Sequence, residues 1–209
     1  MLRAVTFALF FAAVLAAAPA KPQQVVDRVA ARIEDDIILE SEVRELGQYQ
    51  SLIEGREEAT PQRLDRLIDQ WIVRSEAQAA LFPQPADADV EAEIARQRSS
   101  LPSGEFEKRL TESGLSEAAL RRIVARQVYL TKYLDSRFRA AVQVDADAVR
   151  AYYRDEFTPQ AQKAGSAVPQ LSEVRGQIRE ILVQRGISQQ AARWLDESRS
   201  RLHIEKEPQ

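Results

Sequence analysis

The chain has no cysteine among its 209 residues. A disulfide framework, a thiolate metal site and a cysteine nucleophile are therefore excluded. Its one histidine, His203, supplies too little material for a histidine metal cluster or for Ser-His-Asp chemistry. Only seven glycines are present, with neither a GxGxxG nor a P-loop pattern, which argues against a phosphate cradle. The formal net charge of −3 argues against nucleic acid as the main partner, because duplex binding needs a concentrated basic face. What is present, 44% apolar and 29% charged residues, is enough for one domain with a core and room for an appendage.

Residues 1–20, MLRAVTFALFFAAVLAAAPA, carry one positive charge at Arg3, followed by an uncharged run of 17 residues from Ala4. Ala18-Pro19-Ala20 places small residues where a signal peptidase reads, with Lys21 next. The segment reads as a cleavable secretory signal peptide. The competing reading is a membrane anchor, but the run is short for a span and rich in Ala rather than Leu. No cysteine is available for lipoprotein attachment. Removing Arg3 from 29 positive charges leaves 28 against 32 negative, a net of −4 for the mature chain. Export without cysteine fits a bacterial periplasm.

The mature chain opens with alternation. Val25, Asp27, Val29, Ala31 and Ile33 fall on one face of a strand, with Arg28, Ala30 and Arg32 on the other. Glu34-Asp35-Asp36 reads as a turn, Ile37–Leu39 as a short return, and Ser41 as the cap of a helix reaching about Glu54. Thr60-Pro61 starts a helix whose stripe is Leu64, Leu67, Ile68, Trp71, Ala79 and Phe82. Asp87 starts a shorter helix with Val90 and Ile94, and a small one holds Phe106 and Leu110. A long helix over about 116–141 has Leu120, Ile123, Val124, Thr131, Leu134 and Phe138 as its expected core stripe. Asp145 caps another helix, with Val149, Tyr152 and Tyr153. Residues 158–171, with two prolines and a glycine, read as a linker. Two helical runs follow, divided at Gly186, before the alternating RLHIE at 201–205.

Two short strands alone are marginal in water. RLHIE is the remaining β-like segment, so Leu202–Glu205 is expected to pair with the 25–33 strand and join the two ends of the mature chain. The alternative is a frayed tail. The fold class expected is mainly α, a multi-helix body with a small antiparallel β element.

VVDRVAARIEDDIILESEV at 25–43 resembles the opening of the SurA-type periplasmic chaperones. RLDRLIDQWIVRSEAQ and LRRIVARQVYLTKYLDSRF are similar to that family's helical N-terminal domain, and VRAYYRDEF to the motif closing it. SEVRGQIREILVQRGISQQAARWLDESRSRLHIE is similar to the family's C-terminal helices and final strand. The resemblance spans nearly all of 24–206 and implies four parts: a leader at 1–20, a SurA-like helical domain at 21–157, a linker at 158–171, and C-terminal helices with a strand folding back at 172–209. Two departures matter. Asp36 stands where the family has a turn glycine, and Asp tolerates positive φ better than most residues. Where family members carry parvulin-type prolyl isomerase domains, only 158–171 is present, too short for a domain. Isomerase activity is therefore not implied.

No catalytic constellation stands out. Asp35-Asp36 reads as a solvated turn, Asp87 and Asp89 as helix capping and first-turn charge, and His203 as an exposed or core-edge residue. The anomaly is aromatic. Tyr129 and Tyr133 lie opposite the expected core stripe of the long helix. Either a second layer covers them, such as the C-terminal helices, or they line an open groove. Tyr129, Tyr133, Tyr152, Tyr153 and Phe157 are thus the candidate substrate-binding residues, since tyrosine offers an apolar face plus a hydroxyl. The expected function is an ATP-independent periplasmic holdase for unfolded or extended polypeptides, outer-membrane proteins among them, with no cofactor. The alternatives are an adaptor binding one folded partner, or a relative of prolyl isomerases without isomerase activity. The terminal pairing also makes a domain-swapped homodimer an expectation to test.

Overall fold

A computed structural model describes residues 27–208. The leader read at 1–20, and Val25, lie outside the described residues. The elements run β1 (Val29–Ile33), β2 (Asp36–Leu39), α1 (Glu40–Glu54), α2 (Thr60–Ala79), α3 (Asp87–Ser99), α4 (Glu105–Ser113) and α5 (Glu117–Phe138). After a 3₁₀ turn at Arg139–Ala141 come α6 (Ala146–Tyr152), a π-helical turn (Tyr153–Phe157), α7 (Thr158–Lys163), α8 (Leu171–Arg199) and β3 (Ile204–Lys206). The fold is mainly α with a small antiparallel sheet, as the pattern predicts.

The sheet order is β2-β1-β3, so the C-terminal strand flanks the N-terminal one. Ala31 faces Lys206, Arg32 faces Glu205 and Ile33 faces Ile204. Beyond both ends of this ladder, Glu34 N donates to His203 O at 3.1 Å and Glu207 N to Ala30 O at 3.0 Å. Ala31 and Ile33 are fully buried, and a register shift between Val29 and Ala31 turns Ala30 inward as well. The turn is tighter than expected. Asp36 already belongs to β2 opposite Ile33, and the positive φ of 50° falls on Glu34. Asp36 instead accepts from Trp71 Nε1 at 2.8 Å.

Helix α1 leaves β2 without a loop, so Ser41 lies inside the first turn and is not the cap. The capping carboxylates come from elsewhere: Leu39 N donates to Glu42 Oε2 at 3.0 Å and Ser41 N to Asp27 Oδ1 at 3.2 Å. Helix α2 begins one residue early, with Thr60 helical and Ala59 at the cap position. Its buried stripe is Leu64, Leu67, Ile68, Ile72, Val73 and Ala77, while Ala79 is exposed at the helix end. That end closes with Phe82 N to Ala77 O and Leu81 N to Gln78 O, both 2.9 Å, the pairing that needs a left-handed residue between. Leu81 supplies it, at φ 53°.

Helix α5, capped by Ser116 Oγ accepting from Ala119 N at 3.1 Å, is about 33 Å long at 1.5 Å per residue and serves two cores. Its first half places Leu120, Ile123 and Val124 with Tyr49, Leu52, Val90 and Phe106. Its second half places Tyr129, Leu130 and Tyr133 with Val73 and Ala77. Thr131, expected in the stripe, is exposed because the buried face rotates between the two cores.

Half of the linker expected at 158–171 is helix. From Ala146 to Lys163 the chain stays helical, leaving only 164–170 as loop. Pro159, which lacks a backbone donor, follows the π turn, where the ladder is already interrupted. Helix α6 and the first half of α8 share a core of Val149, Tyr152, Val174 and Ile178. Helix α8 is one helix, not two. Gly186 does not break it: a Cβ there would meet Val142 Cγ1 at 2.4 Å, so the glycine admits the chain leaving α5.

Candidate functional site

Five aromatic residues are the candidates for a client surface, with cover by a second layer such as the C-terminal helices as the alternative for Tyr129 and Tyr133. Tyr129 and Tyr133 are 4% and 5% exposed, so they do not line an open groove in this structure. The covering layer consists of Phe82, Trp194 and Leu195. The Phe82 ring lies 5.8 Å from Tyr129 and 5.5 Å from Tyr133, within the range of favourable aromatic pairs. Both hydroxyls are engaged: Tyr129 Oη donates to Phe82 O at 3.3 Å, and Tyr133 Oη accepts from Arg137 Nη1 at 2.9 Å. Tyr152 is buried too, beneath the Arg185 guanidinium at 4.8 Å. Tyr153 and Phe157 are half-buried and stack at 5.9 Å, with Tyr153 Oη donating to Pro169 O at 2.8 Å. The fold therefore divides the five into two separate cores, one under the second half of α8 and one under its first half.

The remaining polar candidates stay bland. Asp89 accepts from Ala86 N and pairs with Lys132 Nζ at 2.6 Å, which is capping and surface pairing. His203 Nε2 lies 3.0 Å from Glu205 Oε1 on the exposed sheet edge. Among the described residues no group of three metal-ligating side chains converges. Burial pushes the Tyr49 hydroxyl up to about 12, and it donates to Gln127 Oε1 at 2.9 Å as part of the core.

An open hollow of about 740 Å³ lies along α8, lined among the described residues by Gln177, Glu180, Ile181, Gln184, Arg185, Ser188 and Gln189, all of that one helix. Helical spacing places Gln177, Ile181, Gln184 and Ser188 in one line, with Glu180 and Arg185 on opposite flanks. On one flank Arg139 is held between Asp135 and Glu180, at 2.6 and 2.7 Å. Arg139 in turn draws the Glu180 carboxyl down to about 2. On the other flank, Arg185 forms a two-pronged bond with Glu156 at 2.7 and 2.8 Å. The charges are thus satisfied internally. Ile181 is half-buried at the centre, and the surrounding glutamines and serine are exposed. A division at Gly186 breaks this line in sequence, and the 3.6-residue period continued through Gly186 restores it.

No protein-family model matches the chain, and no curated protein matches it.

Proposed function

We propose that this chain is an ATP-independent periplasmic holdase of the SurA type that binds unfolded, extended polypeptides such as outer-membrane proteins. The exposed face of α8 carries the reading: an open surface centred on Ile181, with its flanking charges paired internally, suits weak and general contacts. Release without ATP requires such weakness. Covering apolar area yields about 25 cal/mol per Å², and ordering the client offsets most of it. The location rests on the leader pattern at 1–20, and the family on the motif order quoted above. The reading includes no isomerase activity, since only 158–171 stands where the resembled family carries its parvulin-type domains. The test is light scattering of a β-barrel protein diluted from denaturant. The expected result is suppression at stoichiometric excess of this protein; unchanged aggregation removes the proposal.

A second reading, an adaptor for one folded partner, draws on Ile37 and Leu81. These large apolar residues are 47% and 90% exposed, one on β2 and one in the turn after α2. An affinity capture that returns a single folded protein, with no binding to unfolded chains, favours the adaptor.

A further inference from the structure

The geometry points to a docking edge: β2, with Trp71 and Arg74 of α2 beside it, takes an edge strand of a folded partner protein, one carrying a carboxylate between large apolar side chains. The inference needs no part of the holdase reading and gives the adaptor reading a surface. Strand β1 spends Ala30 O and Glu34 N on β3, so strand alternation turns Ala31 and Ile33 toward Ile38 and Asp36 of β2. Ile37, between those two, therefore directs its N–H and C=O to the outer edge, beyond which no further strand stands among the described residues. Ile37 is also 47% exposed. An unpaired edge with an exposed apolar side chain is a template that another strand completes. Ile37, Trp71, Arg74 and Arg126 line one cleft of about 20 Å³ between β2, α2 and α5. That space is too small to enclose a ligand, so the face suits another protein surface.

Charge defines the partner. Among the described residues the half-buried cations Arg63, Arg109, Arg126 and Arg199 each have a carboxylate within 4 Å. Arg74 is half-buried as well and has none among the described residues. The acidic residue of β2 is already engaged, since Asp36 Oδ2 accepts from Trp71 Nε1 at 2.8 Å. A guanidinium partly withdrawn from water without a counter-charge is costly, and a partner's carboxylate removes that cost. A basic strand meets Arg74 as a like charge, and a neutral one leaves it unmatched. Tryptophan and arginine are also the residue types that carry most binding energy at protein interfaces.

The probe is a disulfide-cyclised hairpin peptide whose outer strand reads Leu-Glu-Leu, followed by fluorescence anisotropy. It is compared with its Gln and Lys forms and with the linear peptide of the same sequence. The full chain is expected to bind the Glu hairpin about tenfold tighter than the Gln hairpin or the linear peptide. Arg74→Glu is expected to turn the preference toward the Lys hairpin, and Ile37→Ser to weaken binding of the Glu hairpin. Circular dichroism establishes that both variants fold, and the comparison of hairpins on the unaltered chain decides the matter if they do not. Equal binding of the Glu and Lys hairpins, a preference that Arg74→Glu leaves intact, or no binding at all overturns the inference. Equal binding of the linear peptide marks an unfolded client and overturns it too, as does self-association of the full chain that Arg74→Glu abolishes, which marks a second copy as the occupant. A captured folded protein that Arg74→Glu still retains overturns this surface and leaves the adaptor. Light scattering is expected to show equal suppression by wild type and Arg74→Glu, because the edge shares no residue with the α8 face. Suppression lost only in Arg74→Glu overturns that separation; a wild type without suppression removes the holdase and leaves the docking edge.

Discussion

Arg199, at the end of α8, clasps α2 through Asp65 and Asp69: Nε lies 2.7 Å from Asp69 Oδ1, Nη1 3.1 Å from Asp65 Oδ1, and Nη2 donates to Asp65 O at 2.7 Å. Lys206 of β3 reaches the same Asp65 oxygen at 2.7 Å. Burial works to raise the Asp65 pKa, but bonds from Lys206 and Arg199 outweigh it and hold the carboxyl below its ordinary range. This clasp fastens the returning C-terminal segment beside the sheet. Arg199→Ala is expected to cost about 1–2 kcal/mol, partly screened by solvent, and to lower the thermal midpoint by several degrees in circular dichroism. An unchanged midpoint means the clasp is ornamental.

The antiparallel register of β1 and β3 is testable without background thiols. Arg32 and Glu205 are opposed and exposed, so Arg32→Cys with Glu205→Cys is expected to form a disulfide on oxidation. In the loop-entropy limit a link closing so long a segment adds about 4–5 kcal/mol. Thiol titration reads the bond directly, and a chain whose tail pairs elsewhere would keep both thiols free. Size-exclusion of the reduced and oxidised protein also distinguishes pairing within one chain from exchange between two copies.

Leu81 holds a left-handed conformation and is 90% exposed. Its side chain adds strain with almost no compensating burial. Leu81→Gly is expected to stabilise the protein by about 1 kcal/mol, seen as a higher denaturant midpoint. The same replacement removes one of the exposed apolar residues that favour an adaptor.

Two glycines in α8 make a matched pair. A Cβ on Gly176 meets nothing within 4 Å, whereas one on Gly186 meets Val142. Gly176→Ala is therefore expected to stabilise by up to about 1 kcal/mol from helix propensity. Gly186→Ala is expected to destabilise despite the same propensity gain, and Val142→Ala to restore part of the loss. Chemical denaturation of the single and double variants supplies the comparison.

The tie between α5 and α8 should respond to acid. Hydrogen bonds first from Arg139 and then from Gln184 depress Glu180 from its ordinary 4.5 to about 2. A depressed carboxyl stabilises the fold fully above its unfolded value and loses that contribution as pH falls through its folded one. The thermal midpoint of the wild type should exceed that of Glu180→Gln near neutrality, and the gap should close between about pH 4.5 and pH 2. A constant gap across that interval would falsify the assigned pair.

Local chemistry in the sequence determined where most elements lie. Ser116 and Asp145 cap their helices through their own side chains, and the alternation of RLHIE locates the third strand, because capping and period are properties of neighbouring residues. Tertiary structure decided what those elements face. Thr131 and Tyr129 are two positions apart on one helix, yet only packing against Phe82 and Leu195 buries the tyrosine. Gly186 looks like a helix break in sequence because the reason for it, Val142, stands 44 residues away. The hollow along α8 was likewise decided in three dimensions: its flanking charges are neutralised by Arg139 and Glu156, residues that reach α8 only once the chain has folded back on itself.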